Sequence, residues 1–142
     1  MRALLDVNVL VALLDADHLH HVAARQWLTQ NIEDGWSSCP LTQNGCIRIL
    51  SLPSYPGAQP PAVVMQRLAA ATTTHWHSFW PDAVSLLDPG QAEWTHILGS
   101  RQVTDVYLLA LAVKNGGRLV TFDRGVDLTT VPGAGPENLV VI

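Results

Sequence analysis

Three aspartates carry the chemical interest of this 142-residue chain. Asp6 interrupts the apolar run Leu4-Leu5-Asp6-Val7-Asn8-Val9-Leu10, where an unpaired charge would be costly. Asp105 follows Thr104 at the start of a helical stretch, and Asp123 follows the apolar run Leu119-Val120-Thr121-Phe122. Alone, Asp105 reads as a first-turn acid that stabilises its helix, and Asp123 reads as a turn aspartate. Together they describe a metal site. Three carboxylates gathered at one place repel one another unless a cation lies among them. Hard oxygen ligands, with no His/Cys ligand spacing, favour Mg²⁺ or Mn²⁺ over Zn²⁺. An ion so held lowers the pKa of bound water and offsets charge on a phosphate, which is the chemistry of phosphodiester hydrolysis. His18, His20 and His21 are spaced too closely to share one helical face as zinc ligands.

The elements that must position these carboxylates alternate between strand and helix. Residues 3–5 form a short buried strand ending at Asp6, and residues 9–14 form a short helix. An amphipathic helix covers residues 18–32, with Val22, Trp27, Leu28 and Ile32 at helical spacing. Residues 36–39 form a second strand stopped by Pro40, and Thr42 caps a helix through Leu50. Residues 51–61, with four prolines, form a loop, and residues 62–71 form a helix. A weak strand is expected over residues 83–86. Pro89-Gly90 opens another helix that carries Trp94, Ile97 and Leu98. Thr104 caps a helix over residues 105–114 that ends at Asn115-Gly116-Gly117. Residues 118–121 form a strand leading into Asp123, and residues 139–142 a final edge strand. This alternation predicts an α/β fold with a mainly parallel central sheet. The carboxyl ends of such strands gather at one rim, where Asp6, Asp105 and Asp123 should converge.

Composition bounds the reading. Apolar residues make up 48% and charged residues 14%, as in a compact globular chain of one domain. The net charge of −4 does not advertise a nucleic-acid surface, so bound cations and local arginines must overcome the mean field. Seven arginines against the single Lys114 suit bidentate phosphate contact. Cys39 and Cys46 read as buried, reduced thiols in a cytoplasmic protein. No segment approaches the roughly 20 apolar residues of a membrane span, so no membrane association is expected.

The motifs resemble those of a known family. Leu4-Leu5-Asp6-Val7-Asn8-Val9-Leu10 resembles the opening motif of PIN domains. Val103-Thr104-Asp105-Val106-Tyr107 resembles their third acidic motif, and Leu119-Val120-Thr121-Phe122-Asp123-Arg124 the fourth. Within the family, the segments Asp17-His18-Leu19-His20-His21 and His77-Ser78-Phe79-Trp80-Pro81-Asp82 resemble an actinobacterial-type branch of the VapC toxins. The resemblance covers nearly the whole chain. It implies a three-layer α/β/α PIN-like domain over residues 1–142. It also implies a Mg²⁺- or Mn²⁺-dependent endoribonuclease, the toxin of a type II toxin–antitoxin pair. An RNA substrate, a small antitoxin partner and a homodimer go with that reading. Asp6, Asp105 and Asp123 are then the catalytic metal ligands.

One departure stands out. Aligned on Arg48, the glutamate of the second motif falls at Gly45 in Thr42-Gln43-Asn44-Gly45-Cys46-Ile47-Arg48. Asn44 or Gln43 would have to supply a neutral oxygen, and metal binding should be weaker. On this basis Gly45→Glu is expected to leave activity unchanged or raise it. Asn8, Asn44 and Thr121 are the supporting residues. Asn8 would orient Asp6 or act as a cap, and Thr121 would touch substrate or serve as a satisfied strand hydroxyl. Arg124 and Arg48 are the candidates for RNA phosphate contact, with an ion pair the favoured role for Arg48. His21 is placed near the rim of the site. Trp76 and Trp80 are the candidates for base stacking. The alternative is a non-catalytic PIN-like module that binds RNA or protein after losing the second-motif glutamate. A doubly wound phosphotransfer domain built on Asp6 is a weaker reading, because Asn8 is not the acid or threonine it wants two residues on.

Overall fold

The structure is a computed structural model that describes residues 1–142. Its centre is a five-stranded sheet in the order β3-β2-β1-β4-β5, parallel throughout. The strands are β1 (Ala3–Leu5), β2 (Trp36–Ser38), β3 (His77–Phe79), β4 (Arg118–Thr121) and β5 (Leu139–Val141). The helices are α1 (Val7–Leu14), α2 (His21–Asn31), α3 (Pro40–Leu50), α4 (Pro61–Ala71) and α5 (Gln102–Lys114). Registers such as Leu4 opposite both Ser37 and Leu119 place β1 at the centre.

Strand alternation sorts the core into two layers. Ala3, Leu5 and Val120 point to one face and pack with Leu10, Ala24, Cys46 and Leu68 from α1 to α4. Leu4 and Leu119 point to the other face and pack with Leu108, Leu109 and Leu111 of α5. This is the three-layer α/β/α arrangement, with four helices against one. Buried on both faces, β1 and β4 read as continuous apolar runs, and that is why they were legible.

Several elements differ from the sequence expectation. Pro40 does not merely stop β2; it opens α3 at a first-turn position where its missing N–H costs nothing. Cys39 is the cap, and Thr42 sits three residues on, its hydroxyl accepting from the Cys39 N–H at 3.0 Å. α2 starts at His21, three residues later than expected, because 15–20 form turns. α5 begins at Gln102, so Thr104 lies inside the first turn and is not the cap. The expected strand over 83–86 is irregular, and the strand that joins the sheet is His77–Phe79. Its edge position leaves it with little burial, and so without an apolar signature. The helix expected after Pro89-Gly90 reduces to the 3₁₀ turn Trp94–His96, in a segment rich in turns. Both cysteines are free and buried. No helix is long and apolar enough to cross a membrane.

Candidate active site

Asp6 leaves the end of β1 and caps α1. Its N–H completes the ladder to the Val120 carbonyl at 3.0 Å, and its Oδ1 accepts from the Val7 N–H at 2.6 Å. The side chain is buried, yet Oδ2 accepts the Thr121 hydroxyl at 2.7 Å. Burial pushes the Asp6 carboxyl above its ordinary range. The bonds from Thr121 and Val7 oppose that, and the charge of Asp123 adds to it. Asp123 lies two residues beyond Thr121 and is exposed. Its N–H donates to Thr121 Oγ at 3.0 Å, and its Oδ1 accepts the Gly125 N–H at 2.7 Å. The turn role anticipated for Asp123 is therefore real, and it aims the carboxylate. Asp105, in the first turn of α5, borders a narrow crevice with Gly125 and Asp127. Burial first, then the charges of Asp6 and Asp123, push its carboxyl up to about 6.

The three aspartates thus occupy the same rim and feel one another's charge. They do not form a closed cage: no three carboxylate, imidazole or thiolate groups of the chain are drawn together closely enough to hold a metal ion. The trio is open toward solvent on the Asp123 side.

The supporting residues fall into different places. Thr121 is fully buried, which removes it from substrate contact and makes it the brace between Asp6 and Asp123. Asn8 reaches Thr121 Oγ at 3.5 Å, a weak contact, and does not bond Asp6; its Oδ1 is buried without a partner. Gln43 is committed elsewhere, donating to Ser38 Oγ at 2.9 Å, and Ser38 Oγ in turn meets His77 Nε2 at 2.9 Å. Asn44 and Arg48 are exposed and line a cavity shared with Asp6. The ion pair favoured for Arg48 is absent, since both ion pairs of the chain involve Asp34. Arg124 is also exposed and outside those pairs.

Gly45 has a packing reason to be glycine. A Cβ there would stand 2.7 Å from Val7 Cγ2, so α3 can rest against the start of α1 only without a side chain. The Gly45→Glu change, expected from the sequence to leave activity unchanged or raise it, therefore carries a packing cost: the added atoms collide with a stiff β-branched residue.

The aromatic assignments also shift. Trp80 is buried in the α5 layer, and Trp76 packs against the other layer, so neither is a free stacking surface. Sequence reasoning missed a stack of His20 on Phe122, ring centroids 4.6 Å apart, with His18 also over Phe122. Phe122 immediately precedes Asp123. His18 and His20 thus reach the neighbourhood of the site, whereas His21 bonds the Ala12 carbonyl at 2.7 Å beside an apolar groove. The one signal for this was the histidine cluster, whose close spacing argues against zinc and leaves the rings free for other contacts.

This fold, with aspartates following β1 and β4 and opening α5, is that of a PIN domain. The PIN domain family model matches residues 3–131, and the chain belongs to that family. Among its relatives, Ribonuclease VapC44 of Mycobacterium tuberculosis is 51% identical over the full length of both chains. Ribonuclease VapC39 of the same organism is 46% identical over 127 residues, 89% of this chain and 91% of the relative. Ribonuclease VapC29 is 40% identical over 126 residues, 89% of each.

Proposed function

We propose that this chain is a Mg²⁺- or Mn²⁺-dependent endoribonuclease, the toxin of a type II toxin–antitoxin pair. The observation that carries the reading is electrostatic. The fold holds three carboxylates at one rim, where the charge of Asp123 adds to the cost of ionising Asp6, and burial together with the charges of Asp6 and Asp123 pushes Asp105 up to about 6. Such strain is characteristic of functional sites. The donor set suits a hard divalent ion: three carboxylates and, beside them, the partnerless amide oxygen of Asn8. Asp6, Asp105 and Asp123, gathered at one rim but not closed into a cage, would hold the ion with water completing its shell, and the ion would supply an activated water and offset charge on the phosphate.

The chain's own residues do the rest. Thr121 and the Val7 N–H fix the Asp6 carboxylate, and the Gly125 N–H fixes that of Asp123. Arg48, in the cavity beside Asp6, and Arg124, next to Asp123 in the chain, lie outside the chain's ion pairs and are available for phosphate oxygens. The ribonuclease names of relatives at 40–51% identity support the substrate class. Single-stranded or loop RNA is the expected target, because its bases and phosphates are accessible.

The antitoxin is expected in an apolar groove of about 470 Å³ formed by α1, α2 and α4, lined among others by Leu10, Leu13, Leu28 and Trp36. Such a groove suits the apolar face of a partner helix. A homodimer and a cytoplasmic location belong to the same reading, the latter supported by two buried free thiols.

The test is RNA cleavage by the purified chain with Mg²⁺, with EDTA, and as Asp6→Asn. Activity that needs the metal and Asp6 is the expected result. Activity surviving both EDTA and Asp6→Asn refutes the metal mechanism. A folded protein that binds RNA but cuts none under any metal is the non-catalytic module.

A further inference from the structure

We infer that the cavity beside Asp6 is a nucleobase subsite, in which one face of α3 reads a single unstacked base next to the bond that is cut. The inference rests on the ribonuclease reading above and deepens it. The cavity holds about 510 Å³, within the range of small-ligand pockets. Its α3 wall is Leu41, Asn44, Gly45, Arg48 and Ile49. Those positions are i, i+3, i+4, i+7 and i+8, one continuous helical face. Asp6, Val7 and Thr104 complete the wall. The space therefore borders Asp6, one of the three proposed metal ligands, and a base seated in it would lie next to the phosphate being cut.

The wall has the chemistry of base recognition. Leu41, Val7 and Ile49 offer apolar contact to the flat faces of a ring. Gly45 carries no side chain because Val7 fills the place a Cβ would take, so α1 and α3 meet closely at that part of the wall. Asn44 is exposed and takes no part in the bonds that occupy its neighbours Thr42 and Gln43. Its amide presents a donor and an acceptor side by side, the pattern that reads a base edge. Arg48, one turn further on the same face, supplies a cation for the phosphate attached to that base. Single-stranded RNA is read this way, by splaying out a base and bonding its edge. A polar group that is satisfied only by the right base also rejects the wrong one, because it is then left unpaired.

The test has two arms. In the first, the full chain with Mg²⁺ cuts a random-sequence RNA pool, and the cut ends are sequenced. One position beside the cut should carry a base preference. Asn44→Ala should lower that preference about tenfold, with preferences elsewhere unchanged. Asn44→Asp, which loses the amide donor, should move it toward bases that present a donor. In the second arm, fluorescence anisotropy in EDTA measures binding of uridine hexamers carrying one A, C, G or U at the centre. One of the four should bind most tightly, and Asn44→Ala should erase the difference.

Cleavage with the same preference in wild type and both variants overturns the subsite and leaves the nuclease reading standing. No cleavage, but a binding preference lost in Asn44→Ala, supports the subsite and overturns the nuclease. Equal binding of the four hexamers overturns the subsite. So does a dimer in solution that Asn44→Arg dissociates, because the face would then be an interface between copies.

Discussion

The Thr121 hydroxyl donates to Asp6 Oδ2 at 2.7 Å, joining residues 115 positions apart at the ends of adjacent parallel strands. The same oxygen accepts the Asp123 N–H at 3.0 Å. One buried hydroxyl therefore sets the geometry of two of the three carboxylates.

Thr121→Val keeps the shape and removes that link. It should lower kcat/KM for RNA at least tenfold, because it loosens Asp6 and strands the Asp123 N–H. It should also cost about 1–3 kcal/mol in urea unfolding, since buried polar groups lose their partner. Thr121→Ser should recover most of both. Wild-type kinetics in Thr121→Val would remove the positioning role.

The Asp105 carboxyl, at about 6 in the fold against 3.8 ordinarily, binds its proton more tightly folded than unfolded. The stability this contributes is full below about pH 4 and is lost as pH rises through about 6. Asp6 is shifted in the same direction. In EDTA, the Tm should therefore fall between pH 5 and pH 7.5. Asp105 is only half-buried, so solvent screening holds its share to about 1 kcal/mol. Asp105→Asn should flatten the decline, and Mg²⁺ at pH 7.5 should restore stability to the wild type alone. His77, held below its usual range by burial, acts in the opposite direction over the same pH range, so the deciding comparison is between proteins: a Tm profile identical in wild type and Asp105→Asn would contradict the shift at Asp105.

Gly45→Ala should destabilise the chain by about 1–3 kcal/mol through its collision with Val7, and Gly45→Glu by at least as much. Val7→Ala in the same chain should relieve most of the loss. Urea denaturation of the two single variants and the double variant measures the coupling, and additive losses would show that the contact is unimportant.

Leu28→Asp introduces a charge into the groove between α1 and α2 at a partly buried position. It should weaken capture of the co-expressed antitoxin about tenfold or more while RNA cleavage by the free chain is unchanged. Equal co-purification of both forms would place the antitoxin elsewhere.

The sequence by itself determined the parallel α/β fold and singled out three aspartates that the fold brings to one rim. β1 and β4 are buried on both faces, so their apolar runs stand out, and a carboxylate interrupting such a run is conspicuous. The sequence did not determine β3, whose edge position leaves it polar, nor the irregular stretch that was read as a helix around Trp94. Only the tertiary structure decided that Thr121 is a buried brace, that Gly45 answers to Val7, and that Asn44 and Arg48 border Asp6. Each of these facts is a contact between residues far apart in the chain. Local pattern can say which way a side chain turns from its own strand or helix, but what it meets there is set by how the layers pack.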